Sequence, residues 1–359
     1  MIVGILDRYF GRSFLKTVLA VFGGVFFLIF TIDLVETLRK SGETPGASGL
    51  LMAWLSLLHT PIVAEQALPF AVLLGSMIAF LNLSRRLELV VVRAAGVSVW
   101  RFLSPALIVA LAVGVVAVTI YNPLSTAMKR QSDALEAKLF GAAHSGGRGL
   151  WLRQKSVDGQ SIVHAEGRDA NNDAFAHVQA FNFDPDGGFS QRVDSDRATL
   201  RDGYWELEGA TIVTPGFDSQ TASVYLLATS LTRTDVARAF VAPETVSFWG
   251  LRGLAEQVEE AGLDGTPYRL RYQQLIALPV LLVAMVLVAS CFSLRLFRMG
   301  GVQQMVSGGV LAGFVLYVAT KVVGDLGGVG VVSPMVAGWS PAVVGCLFGV
   351  YVLLHQEDG

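Results

Sequence analysis

Residues 87–102 read LELVVVRAAGVSVWRF. The segment stands between two long apolar runs and is apolar enough to pass for the margin of a membrane span. Yet it carries Glu88, Arg93, Gly96 and Arg101. Arg85, Arg86 and Glu88 open a helix-compatible run, and Ala94 and Ala95 favour helix. Gly96 suits a helix C-terminus, and Ser98 is placed to cap the helix that follows. The segment therefore reads as a short helix over residues 84–95 that joins two spans. A helix resting on the membrane surface would account for the charges. But Leu87, Leu89, Val90, Val91 and Val92 leave it apolar nearly all round. That pattern suits a groove in a partner protein better than a flat lipid surface.

The rest of the chain supports a membrane setting for this connector. Of 359 residues, 53% are hydrophobic and only 16% charged, with a mean hydropathy of +0.54. A soluble chain carries about 25% charged residues. Six apolar segments are long enough to cross a hydrocarbon core of about 20 residues: 14–38, 59–83, 102–124, 275–294, 302–323 and 334–354. The second is the least clean, because Glu65, Gln66 and Pro69 interrupt its start, and its first turns read as interfacial. No cleavable signal segment is evident at the start, so the first run reads as a retained span.

Basic residues in the flanks orient the spans. Arg8, Arg12, Lys16, Arg85, Arg86, Arg93, Arg101, Arg295 and Arg298 fall on one side, against Arg39, Lys40 and Lys321 on the other. The first side is cytoplasmic by this rule. Both termini and the 87–102 connector are then inside, and the polar block 125–269 is outside. Short alternating runs in that block at 150–153, 161–165, 175–183, 198–200, 204–207, 210–214 and 223–231, punctuated by Asp158-Gly159, Asp186-Gly187 and Asp202-Gly203, predict antiparallel hairpins. About a hundred residues of hairpins suggest a sandwich or jelly roll. Beyond Pro243, Ser247 is placed to cap a surface helix over 248–261, with Leu251, Leu254 and Val258 on one face.

The fold class expected is an α-helical membrane protein of six transmembrane helices with an inserted all-β jelly-roll domain. Its parts are spans 1 to 3 over 1–124, the β domain over 125–246, and the juxtamembrane helix with spans 4 to 6 over 247–359. The near-neutral net charge of -2 argues against a nucleic-acid partner. Cys291 and Cys346 lie in apolar runs and read as packing residues. No phosphate-binding loop, zinc motif or nucleophile elbow is present, and the five histidines are scattered. Asp33, Glu36, Arg39 and Lys40 close the first span, either as charges that snorkel to water or as contacts for a charged lipid headgroup. Lys321 and Asp325 sit four apart at another outer end, where snorkelling is the simpler reading. In the fifth span Gly308, Gly309 and Gly313 permit close helix packing, and Gly23 and Gly24 in the first mark a seam or a flexible point.

Four stretches together resemble a known family: GILDRYFGRSF at the start, RRLELVVVRAAGVS in the connector, GLW opening the β domain, and YRLRYQQLIALPV entering the fourth span. They are similar to the LptF/LptG permeases of the lipopolysaccharide export ABC transporter, and the resemblance spans nearly the whole chain. It implies a heterodimer with an LptF-type permease around a central cavity, a separate LptB-type ATPase dimer below, and an LptC-type single-span periplasmic protein beside the first span. ATP and Mg would be bound by the ATPase, with no cofactor, metal or catalytic residue in this chain. The resemblance makes Leu87, Glu88, Leu89, Val90, Val91, Arg93, Ala94 and Gly96 the coupling segment in an ATPase groove. It makes Phe26, Glu36, Arg39, Lys40 and Tyr317 the contacts of lipopolysaccharide. Asp33 departs from the family, where a lysine is common, so a phosphate contact there is not implied. The competing readings are a non-transporting membrane receptor or assembly protein and, last, a lipid-modifying membrane enzyme.

Overall fold

The structure, a computed structural model, describes residues 4–41, 48–85, 88, 91, 94, 96, 98–140, 150–156, 159–169, 174–184, 188–232, 241–260, 263–293 and 302–357. The helices are α1 (Ile5–Ser41), α2 (Gly49–Arg85), α3 (Val99–Val116) running through a π-turn at Ala117–Tyr121 into α4 (Asn122–Phe140), then α5 (Phe248–Glu260), α6 (Thr266–Ser293), α7 (Val302–Gly328) and α8 (Pro334–Glu357). Six helical stretches, namely α1, α2, α3 with its extension, α6, α7 and α8, are long and apolar enough to cross a membrane. Helix is the only open-ended structure that satisfies every backbone polar group inside lipid, which is why each apolar run takes that form.

The spans are not equivalent. In their most apolar windows α2 is 67% buried and α6 61%, against 6% for α1 and 17% for α7. The centre is thus α2 against α6, with α3 and α8 packed on it. Small residues allow the approach. A Cβ on Gly114 of α3 would lie 2.4 Å from the Pro279 Cα of α6, so this crossing accepts only hydrogen. The paired glycines of the fifth span do the same through side chains: Gly309 faces Met77 and Gly313 faces Leu73 of α2. Packing is therefore their use. Gly23 and Gly24 meet nothing within 4 Å.

Three expectations change. Residues around Glu65 are not interfacial turns, because α2 is continuous from Gly49 through Pro61 and Pro69, and Glu65 is 4% exposed. Residues 125–140, expected to open the β domain, are helix, and the first strand begins at Leu150, where the first alternating run was read. Polarity ended the apolar run at 124, but α4 continues with charges on a helical ladder, such as the Lys129–Asp133 pair at 2.6 Å. The fourth span likewise starts earlier, at Thr266.

The β domain has six strands, β1 (Leu150–Ser156), β2 (Gly159–Asp169), β3 (Ala174–Phe183), β4 (Phe189–Arg201), β5 (Tyr204–Val213) and β6 (Gln220–Ala228). They pair antiparallel in consecutive order, as one meander without the Greek-key crossing of a jelly roll among the described strands. Short connections explain this order, since the strands are joined by two to six residues, which suffices only for neighbours. Gly203, at φ 89, makes the β4–β5 turn of the Asp202-Gly203 pair. The turn at Asp186-Gly187 lies outside the described residues. Most of β4 was not expected, because FSQRVDSDRATLR is largely polar, although Val193, Ser195, Ala198 and Leu200 are buried in it.

The ladder lapses along one line of opposed positions, Glu166, His177, Asp196, Gly209 and Ser223, with no change of register. His177 (φ 48) and Gly209 (φ 66) on this line have left-handed backbone. The sheet creases there and curls until its ends meet. Buried Gln154 of β1 donates to Ala228 O at 3.3 Å beside β6, and its Oε1 accepts from Trp205 Nε1 at 3.2 Å and Thr229 Oγ1 at 2.6 Å. Inside the curl Phe175 meets Trp205 edge-on at 5.5 Å.

Two outcomes follow. Gly114→Leu should cost about 1–3 kcal/mol or more by overpacking, lowering the thermal midpoint of the detergent-solubilised protein, whereas Gly23→Leu should leave it unchanged; equal midpoints would refute the crossing. Gln154→Leu strands two buried donors, so hydrogen exchange on β1 and β6 should quicken roughly ten- to hundredfold with the spans unaffected.

Candidate functional site

The C-terminal half of α1 presents Phe27, Leu28, Ile32 and Val35 to the exterior, with Phe26 half-buried beside them. Its charges are arranged in pairs. The Arg39 guanidinium grips Glu36 with two hydrogen bonds, Nε to Oε2 at 3.0 Å and Nη2 to Oε1 at 2.9 Å. Lys40 extends from the same end, exposed. Asp33, where the resemblance leads a lysine to be expected, is held across the helix pair: its Oδ1 lies 2.7 Å from His59 Nδ1 of α2. One turn back, Ser56 Oγ donates to Phe30 O at 3.3 Å. The reversed charge at position 33 thus has a local partner, and His59, read from sequence as one of several scattered histidines, is the residue that supplies it.

Tyr317 lies elsewhere. It lines a cavity of about 490 Å³ between α2, α6, α7 and α8, whose polar rim includes Glu65, Gln66, Arg271, Gln274, Lys321 and Asp325 and whose floor is Leu278, Leu281 and Met285. Lys321 and Asp325, expected only to reach for water, stand on this wall. Phe26, Glu36, Arg39 and Lys40 do not line the cavity, so the structure divides the expected lipid contacts into an α1 group and a cavity group.

Glu65 anchors the cavity rim. Its carboxylate accepts from Arg271 Nη2 at 2.7 Å, Asn122 Nδ2 at 3.0 Å and Ser125 Oγ at 2.8 Å. Asn122 Oδ1 in turn accepts from the Phe248 amide at 2.8 Å, which caps the start of α5 from another helix. The π-turn before Asn122 offers further ties: Tyr121 donates to Pro61 O at 2.9 Å, and the Trp249 indole to Thr119 O at 3.5 Å. An inserted residue of this kind turns carbonyls away from the helix axis and is common at functional joints. Outside the spans, Glu259 of α5 is held below the usual carboxylate range by its double hydrogen bond to Arg269. The Glu65 cluster was missed from sequence, although a carboxylate inside an apolar run is itself a signal of a buried partner.

At the opposite end of the bundle, in the connector between α2 and α3, Glu88, Val91 and Ala94 are helical, and Gly96 follows in a turn at φ 75. Ser98 caps α3, its Oγ accepting from the Arg101 amide at 3.4 Å. Val91 is 67% exposed. Glu88 Oε1 accepts a hydrogen bond from Tyr9 Oη of α1 at 3.2 Å. Leu87, Leu89, Val90 and Arg93 lie outside the described residues.

Six apolar spans, a β domain spliced between the third and fourth, and two spans left largely bare describe a multi-pass membrane protein. The chain belongs to the LptF/LptG family: the profile of the lipopolysaccharide export system permease LptF/LptG matches residues 8–355. It is similar to the lipopolysaccharide export system permease protein LptG of Escherichia coli K12, 26% identical over 99% of both chains. It is also similar to LptG of Haemophilus influenzae Rd, 25% identical over 90% of both.

Removing one partner of the buried pair should cost about 3–5 kcal/mol. Glu65→Leu and Arg271→Met should therefore each lower the unfolding midpoint in detergent, and the double variant should recover much of the loss. Additive losses in that cycle would show that the two side chains do not depend on each other.

Proposed function

We propose that this chain is the LptG-like half of a heterodimeric permease in an ATP-driven exporter. The exporter extracts lipopolysaccharide from the outer leaflet of the inner membrane and passes it to a periplasmic bridge. One observation carries the proposal: α1 and α7 present apolar faces that nothing among the described residues covers, while α2 and α6 are mostly buried. Such faces suit the walls of a lipid cavity completed by an LptF-type permease.

The physical requirement agrees. Moving an acyl chain from bilayer to water costs about 0.8 kcal/mol per CH₂, on the order of 10 kcal/mol for twelve carbons. An apolar cavity avoids most of that cost, and expulsion from it needs external work. The chain has no nucleotide-binding loop of its own, so ATP and Mg belong to an LptB-type ATPase dimer docked on the connector through Leu87, Glu88, Leu89, Val90, Val91, Arg93, Ala94 and Gly96. The basic flanks put both termini and that connector in the cytoplasm and the β domain in the periplasm. An LptC-type helix would lie beside α1. Lys40, with Arg39 beside Glu36, would face the lipid headgroup, and Phe26 and Tyr317 its acyl region.

Affinity purification in mild detergent tests this reading. A soluble ATPase and a second, similar permease should co-purify; isolation of the chain alone would favour a receptor or assembly role. In the reconstituted complex, Arg39→Ala with Lys40→Ala should reduce photocrosslinking of lipopolysaccharide from α1 about tenfold, the weight of one charge-assisted contact. Unchanged crosslinking would assign those cations to snorkelling.

A further inference from the structure

The Tyr9–Glu88 hydrogen bond joins two parts of the chain 79 residues apart, the inner end of α1 and the connector between spans 2 and 3. Glu88 was expected to point only into a partner's groove. We infer that Tyr9 is a positioning residue that latches α1 to the connector, so that displacement of the connector moves α1 as a lever. This rests on the proposal that the connector docks an ATPase.

Three features of α1 make the lever reading physical. Its inner arm is rigidly seated: Phe10 packs edge-on against Phe102 at 4.9 Å, Phe14 lies 6.2 Å from Phe80, and Phe80 lies 6.2 Å from Phe102. These aromatic rings bind α1 to the last turns of α2 and the first of α3, the two helices the connector joins. Next, α1 crosses α2 at a pivot where a Cβ on Gly75 would lie 2.8 Å from the Val18 Cα, so the backbones touch there and can rotate but not approach. Finally, the outer arm is lightly held, by the Asp33–His59 and Ser56–Phe30 contacts, and its apolar face is bare.

At a rise of about 1.5 Å per residue, Tyr9 stands roughly 13 Å from the pivot and Arg39 roughly 31 Å beyond it, so a shift at the connector is magnified about twofold at the outer end. Within the aromatic cluster Tyr9 is the member with a hydroxyl, and that group reaches the connector at Glu88. A phenylalanine there would keep the packing against Phe10, 5.7 Å away, and lose the latch.

The experiment uses the permease pair with its ATPase, reconstituted in nanodiscs loaded with lipopolysaccharide, and measures bound ATPase and lipid released per ATP hydrolysed. Tyr9→Phe should keep the ATPase bound and cut release per ATP roughly fivefold, the weight of a single hydrogen bond. Release by Tyr9→Phe equal to wild type, with the ATPase bound, overturns the latch while leaving the docking reading intact. Absence of the ATPase from the wild-type preparation overturns both. Loss of the ATPase from Tyr9→Phe itself would make Tyr9 part of the docking surface and also overturn the latch.

Discussion

A carboxylate in the middle of an apolar helix has to be answered by the protein around it, and Glu65 is answered from three directions. Arg271 supplies the opposite charge from α6, while Asn122 and Ser125 supply hydrogen bonds from the start of α4. A buried ion pair contributes little net stability against an apolar replacement, but either charge alone would be costly. Its effect is to specify an arrangement. The carboxylate is satisfied only when α2, α4 and α6 stand in one register, and Asn122 carries that register to the first amide of α5. The helices that lead to and from the β domain are therefore aligned from inside the membrane bundle.

The remaining spans are arranged around this centre by what they leave uncovered. α6 and α2 bury their apolar surface within the chain, whereas α1 and α7 present theirs outward. Lipid does not distinguish one apolar face from another, so hydrophobicity alone cannot pair helices in a bilayer; close backbone approach and polar contacts do. The glycine contacts at Gly75, Gly114 and Gly313 and the Asp33–His59 bond are of this kind. α1 packs along α2 on one side and leaves its other side bare, so it lies at the edge of the bundle rather than within its buried centre.

Outside the spans, the β domain solves a different problem. A six-stranded sheet with one apolar face needs that face covered. The creased meander covers it by curling on itself, with Trp205, Phe175 and Leu207 inside and Gln154 joining the two ends. The left-handed backbone at His177 and Gly209 lies on the crease line, where the ladder gives way without losing register.

Local composition determined the spans, the β character of the insert and the turn at Gly203, because apolar length, alternation and an Asp-Gly pair each act over a few residues. The break at Gly96 and the cap at Ser98 were legible for the same reason. Polarity misled where it was taken for the end of a helix: α4 is polar and helical, and β4 is polar and paired. The partners of Glu65, the reach of His59 to Asp33, the line of the crease and the bond from Tyr9 to Glu88 were decided only by tertiary structure. Each joins residues tens to hundreds of positions apart, and no rule of spacing tells a carboxylate at 65 that its cation stands at 271. That pairing arises because burial removes water, and the nearest complementary group in the packed bundle then has to take water's place.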